Sequence, residues 1–374
     1  MNVGGVEKAF LGISSIIPKD DYEIHLGLLQ EKGGFLDFLP DHVIVHKINC
    51  YDKYWNYIND PPLKTILFLF KKREYIKSII HFFLYIIFKC TSSRYLFYKY
   101  LLKDEPSFPI SFDIAIAFAG PSQAIDYYVC KKINATQKIG WIHFDITKFG
   151  IDKGLTNKLY SSYSKICIVS HSAKTKFDQL FPKHKHKTKV FYNVIPEEQI
   201  LKLSQLNLTH SYSSNYINIL TVGRMSYEKG QDLTLYAIKI LINKGYNIKW
   251  YYIGEGSLLT ECQKIAKDLN ITKHTCFLGT LTNPYPYMKK CDIYVQPSRH
   301  EGFCITLAEA RLFTNPIVTT NFTGAYEQLK TRSNAIIVET SPLEIAKGIE
   351  QALTLPPLKS KDIIKETNIS DLFI

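Results

Sequence analysis

Apolar residues in this chain concentrate in short runs, several closed by glycine and followed by a stretch with helical spacing. Ile217 to Val222 is one such run; Gly223-Arg224 closes it, Lys229-Gly230 follows, and a periodic helix extends from about Asp232 to Asn243. The order reads as strand, loop, helix. Ile248 to Ile253 repeats the theme and ends on Gly254-Glu-Gly256. A third run, Asp292 to Gln296, leads into Glu301-Gly-Phe-Cys-Ile-Thr-Leu-Ala-Glu309, a loop passing into a helix that starts near Ile305. In the first half Ala115 to Ala119, Lys138 to Ile142, Cys167 to Ser170 and Val190 to Asn193 read as short strands, and Ser170 as the N-cap of a helix running toward Phe177. Strands alternating with helices predict an α/β class with parallel sheets.

A chain of 374 residues exceeds the usual single core. Two domains are expected, residues 1–195 and 196–374, with the Ser- and Asn-rich stretch Glu197 to Asn215 as their junction. The eight cysteines include Cys167, Cys291 and Cys304 inside apolar patterns, which reads as buried thiols rather than a disulfide framework. No Cys-x-x-Cys pair offers a zinc site. A formal charge of +12 points to an anionic partner. Its basic residues are dispersed and follow no recognition motif, so nucleic acid is not the expected partner.

The candidate chemistry lies where strands end. Open α/β sheets bind ligands at the carboxyl ends of their strands, and there Arg224 offers a planar fork of donors and Lys229 a mobile point charge, a pair suited to a diphosphate. A charged loop facing water would look the same in isolation. Glu301 and Glu309 bracket a loop-to-helix junction in which Gly302 allows close backbone approach to a bound group. Ordinary placement of acids near a helix start is the plainer alternative. His143 and Asp145 follow Ile142; the first is a candidate hydrogen-bonding group, the second a cap or an acceptor-binding acid.

In this order and spacing the residues resemble the retaining glycosyltransferases of family 4, the glycosyl transferases group 1 of bacterial polysaccharide and glycolipid synthesis, over most of the chain. The resemblance implies the GT-B fold, two doubly wound Rossmann-like domains facing across a cleft, with the acceptor side in the first domain and the nucleotide sugar in the second. The last helix would pack back on the first domain. The donor implied is a UDP- or GDP-sugar, with no metal required, and the acceptor a hydroxyl of a glycan or lipid-linked molecule. Arg224 and Lys229, with Gly223, would hold the donor diphosphate; Glu301 would lie beside the transferred sugar, Glu309 would hold the ribose hydroxyls, and the backbone at Gly302 and Phe303 would assist. Gly254 matches the family's Gly-x-Gly turn, and Gly4-Gly5-Val-Glu7 its flexible glycine-rich first loop near the phosphates. His143 falls where the family keeps a histidine near the reacting region, so His143, Arg224, Lys229 and Glu301 form the expected catalytic set.

Two departures stand out. Asn193 is followed by Val194 where the family has glycine, and only Met1-Asn2-Val3 precede Gly4, so the family's first strand is expected to be missing. The alternatives are a non-catalytic nucleotide-sugar or glycan-binding protein on the same scaffold, or a nucleotide-sugar hydrolase or epimerase relative. Lys71 to Lys103 is a basic, aromatic-rich region whose apolar core, Phe82 to Phe88, is too short to span a bilayer. It reads as an interfacial surface meeting anionic lipid, which would place the protein in the cytoplasm on the inner face of the cell membrane, or else as buried helices of the first domain.

Overall fold

The computed structural model describes residues 4–359 except 32, 49 and 149. The described chain divides into two compact units, residues 17–192 and residues 4–16 together with 193–359.

In the first unit, β1 (Ile24–Leu28) and β2 (Val43–Lys47) form a parallel pair, and β3 (Ser111–Gly120), β4 (Asn134–Ile142), β5 (Lys165–Ile168) and β6 (Thr188–Val190) form a four-stranded parallel sheet in that order. Both β3 and β4 begin before the apolar runs that announced them, because polar Ser111, Asn134 and Gln137 still share the ladder. β5 and β6 end at Ile168 and Val190, short of Ser170 and Asn193, where their expected runs end. Ser170 is the extended N-cap of the helix His171–Leu180 and accepts from the Ala173 N–H at 3.1 Å. The region from Lys71 to Lys103 is helical, and a further helix precedes it: Pro62–Lys71, Tyr75–Thr91 and Tyr95–Leu101. Among the described residues no helix is long and apolar enough to cross a membrane.

The second unit is one six-stranded parallel sheet of β7 (Ile217–Val222), β8 (Ile248–Ile253), β9 (Thr275–Phe277), β10 (Ile293–Gln296), β11 (Ile317–Thr320) and β12 (Ala335–Val338). Their spatial order is β12-β11-β10-β7-β8-β9. Chain direction across the sheet therefore reverses between β7 and β10, which makes their shared carboxyl end the topological switch point of a doubly wound fold. Both faces are covered. Ile219, Trp250, Tyr252, Ile293 and Val295 pack into one core, while their neighbours Leu220, Val222, Tyr251, Ile253 and Tyr294 pack into another. This is why the strands read as continuous apolar runs: the side-chain period of two supplies both cores.

Residues 4–16 differ from expectation. The glycine pair is not a loop: Gly4 is an extended N-cap and Gly5 opens the helix Gly5–Ser14. Gly12 presses this helix onto the second unit, where an added Cβ would lie 2.2 Å from the Val194 carbonyl oxygen. The polar stretch read as a junction lies within the second unit, and Glu197–Leu203 of it is helix. The missing first strand and the last-helix expectation concern residues 1–3 and 360–374, outside the described residues.

Candidate functional site

Two loops meet at the switch point. After β7 the chain runs through Gly223 and exposed Arg224, buries Met225, and makes a short 3-10 turn, Tyr227–Lys229, before the helix Gln231–Asn243. Gln231 folds back to donate to the Arg224 carbonyl at 2.8 Å, which fixes the backbone that carries the guanidinium. After β10 the chain passes through Pro297 to Glu301.

The loops are joined at several points. Gly230 adopts φ +70°, and a Cβ there would sit 2.1 Å from the Pro297 carbonyl oxygen, so only glycine permits this approach. Arg299 grips Asp232 with both guanidinium branches, at 2.7 and 2.6 Å, and its N–H donates to the Glu228 carbonyl at 2.8 Å. Lys229 Nζ lies 2.5 Å from Glu301 Oε1. Burial pushes the Lys229 ammonium toward losing its proton, but the Glu301 carboxylate more than offsets this and holds the group above its ordinary range, so it stays charged.

Glu301 is aimed from below by side chains the sequence did not single out. Tyr294 donates to Gln296 Oε1 at 2.7 Å, Gln296 to Ser298 Oγ at 2.8 Å, and Ser298 to Glu301 Oε1 at 2.8 Å. The chain of bonds starts on a strand buried on both faces, so the carboxylate is referenced to the sheet rather than to a mobile loop. Alternation along β10 and the Gln-Pro-Ser that follows it were the available signals, and polar residues in a buried run were their clue.

Gly302 and Phe303 continue to Cys304, whose φ of +67° is unusual for a side chain with a Cβ and marks a backbone held by its surroundings. Gln328 donates to the Phe303 carbonyl. Burial raises the Cys304 thiol well above its ordinary pKa, which leaves it neutral. The helix starts at Ile305, as expected, and runs six residues, Ile305–Ala310. Glu309 sits on it, only 2% exposed. Its carboxylate accepts from Tyr285 at 2.9 Å, and Lys8 Nζ lies 2.7 and 2.8 Å from its two oxygens. Lys8 stands one turn before Gly12 on the helix Gly5–Ser14, so the close approach that Gly12 allows brings the ammonium to Glu309. Sequence reasoning reached the glycines of this segment and missed the lysine.

Gly254 belongs to the same assembly. A Cβ there would lie 2.1 Å from the Gly223 carbonyl oxygen, and its φ of +138° suits only glycine. The structure thus brings together Gly223, Arg224, Lys229, Gly254, Glu301, Gly302 and Phe303, with Glu309 and the Gly4-Gly5 helix joined through Lys8.

His143 belongs to the other unit. Its ring lies parallel to that of Trp141, with centroids 5.9 Å apart, and bonds the Phe118 backbone, leaving Nε2 buried without a partner. Burial lowers its pKa to about 4, so the ring is neutral near pH 7. Asp145 is buried and accepts from Thr147, with Lys176 Nζ 2.5 Å away, which is a structural cap. All eight cysteines are free thiols. Among the described residues no three His, Cys, Asp or Glu side chains cluster as a metal site.

Residues 210–369 match the family of glycosyl transferases group 1. The chain is 28% identical over 171 residues to an uncharacterized glycosyltransferase, MJ1059, of Methanocaldococcus jannaschii, covering 45% of this chain and 42% of that protein. It is 31% identical over 136 residues to the capsular polysaccharide biosynthesis glycosyltransferase CapM of Staphylococcus aureus, covering 35% of each. A third relative, the N-acetylgalactosamine-N,N'-diacetylbacillosaminyl-diphospho-undecaprenol 4-alpha-N-acetylgalactosaminyltransferase of Campylobacter jejuni, is 30% identical over 193 residues, 50% of each chain. The aligned part thus spans half or less of these relatives. Among solved structures, Anabaena HepE in complex with UDP-glucose superposes with a TM-score of 0.64 at 17% identity, covering 94% of this chain and 86% of that one. A glycosyltransferase from Rickettsia africae gives 0.62 at 16% identity, covering 94% and 85%. The shared fold is GT-B.

Proposed function

With residues 210–369 a glycosyl transferases group 1 segment on a GT-B fold, we propose that the chain moves a hexose from a UDP- or GDP-sugar to a hydroxyl of a glycan or lipid-linked acceptor, with retention of anomeric configuration. One observation carries this reading: the loops after β7 and β10 converge at the switch point and hold Arg224, Lys229 and Glu301 on a backbone fixed to the sheet.

In the mechanism proposed, the bond between the anomeric carbon and the diphosphate oxygen breaks, the acceptor oxygen bonds to that carbon on the same face, and the acceptor proton passes to the departing phosphate. Arg224 and Lys229 neutralise the charge growing on the diphosphate, with no divalent ion required. Donor binding would draw Lys229 from Glu301 toward the phosphates and leave Glu301, still held by Ser298, beside the sugar. Glu309 holds the ribose hydroxyls, and Lys8 and Tyr285 orient its buried carboxylate. His143, held neutral with its proton toward Phe118, is the first unit's proposed hydrogen-bonding group. The first unit takes the acceptor and the second the donor. A place in surface polysaccharide or glycolipid synthesis, in the cytoplasm at the inner, anionic face of the cell membrane, is supported by the names of the capsule and diphospho-undecaprenol relatives.

Incubation with a panel of UDP- and GDP-sugars and lipid-linked acceptors, followed by mass spectrometry, tests the reading. A sugar added to an acceptor supports it. Nucleotide sugar consumed equally well without acceptor would assign hydrolysis instead, and binding without turnover a non-catalytic role.

A further inference from the structure

Of the 23 large apolar residues exposed among the described residues, eleven fall between Trp55 and Ile86. Such side chains are ordinary when scattered, but a contiguous group marks a surface that something covers. On the helix Pro62–Lys71, Leu63, Leu67 and Phe70 form one stripe at helical spacing; on Tyr75–Thr91, Ile76, Ile79 and Phe83 form another. The helices pack as a hairpin: Ser78 donates to the Ile66 carbonyl at 3.0 Å, and the Phe70 and Tyr75 rings meet at 5.2 Å. Both stripes turn away from the buried positions Thr65, Leu69, Ser78 and His81, and Ile76 is 76% exposed.

The charge around this face selects its occupant. From residue 61 to 103 the chain carries nine lysines and arginines and a single carboxylate, Glu74, whose partner is Lys77 at 2.5 Å. Lys71, Lys72 and Arg73 sit at the turn of the hairpin. A second copy of the same face would set these cations against one another, whereas an anionic bilayer meets the cations with headgroups and the apolar stripes with acyl chains.

We infer that the hairpin Pro62–Lys71/Tyr75–Thr91 lies in the plane of an anionic membrane with its Leu63–Phe70 and Ile76–Phe83 stripes inserted below the headgroups. The inserting surface includes a helix upstream of the basic segment, and apolar burial, not charge alone, retains it. This inference does not depend on the transferase assignment.

Co-sedimentation of the full chain with vesicles of phosphatidylcholine and phosphatidylglycerol, and with pure phosphatidylcholine, is the test. Capture is expected on the mixed vesicles at about 0.15 M salt, with a measurable fraction surviving at about 1 M, where exposed charges are screened. The variant Leu67→Glu/Ile76→Glu/Phe83→Glu, with unchanged circular dichroism and melting, should lose capture at both salt concentrations by about tenfold or more. Ile76→Trp keeps the surface apolar and should be quenched by brominated lipid. No capture of the wild type, capture wholly abolished at high salt, no loss in the triple variant, or no quenching of the tryptophan overturns the inference. So does a wild-type dimer that the triple variant breaks without any vesicle binding, since the face would then belong to a second copy.

Discussion

Lys229 is the residue on which most of the site's electrostatics converge, and its pairing with Glu301 makes a definite expectation. Arg224→Ala and Lys229→Ala should each lower transfer by about a hundredfold, on the order of 3 kcal/mol of transition-state stabilisation, with the fold intact. Steady-state kinetics of the purified variants checks this, and near-wild-type turnover in both would refute the diphosphate role. Glu309→Gln should weaken nucleotide binding in calorimetry by removing the carboxylate that Lys8 and Tyr285 hold. Lys8→Met should do the same, because it strands a buried carboxylate with one remaining partner; unchanged affinity would show that Lys8 only packs. For His143 the sign of the pH effect is fixed. Its folded pKa, about 4, lies below the ordinary value, so its stability contribution is present above pH 6.5 and lost as pH falls toward 4. Ring chemical shifts should remain those of neutral imidazole at pH 6, and a ring titrating near 6.5 would contradict the burial argument.

Strands and loops explain why some of this was readable in the sequence and some was not. β7 and β8 matched their apolar runs to the residue because both faces of the central sheet are covered and an apolar residue stands at each end: Ile217 and Val222, Ile248 and Ile253. β3 and β4 outran their apolar cores because ladder hydrogen bonds ignore side-chain polarity. The helix Gly5–Ser14 was misread because two glycines argue for a loop, while their use here is to start a helix and let it lie close. The Glu301 network was hidden for another reason: alternation puts Tyr294 and Gln296 on one face of β10, but no local pattern shows that Ser298 and Glu301 turn toward them. The loops themselves can be tested. Gly230→Ala should push Lys229 away from the β10 loop, since its Cβ would collide with the Pro297 carbonyl. A loss of about 1–3 kcal/mol in stability is expected from the clash and the positive φ, together with weaker nucleotide binding. Thermal melting and calorimetry on the same sample would register both, and a variant with wild-type values in each would show that the loops are not coupled.

Across the whole chain, the boundaries of the units matter more than their sizes. Residues 193–359 alone lack the helix that supplies Lys8 and buries Ala9 and Ile13. That fragment should melt below the same fragment carrying residues 4–16 on a flexible linker, with calorimetry showing tighter nucleotide binding in the longer version. Equal melting and affinity would make the helix dispensable.

The Lys8–Glu309 contact joins residues 301 positions apart. During synthesis at about 5–20 residues per second, its two halves leave the ribosome roughly 15–60 s apart. The helix Gly5–Ser14, made long before its partner, is thus among the last to dock, holding Ala9 and Ile13 in water until the sheet that receives them is complete, and the loop closed by its docking is the entropic toll that makes such long-range contacts slow.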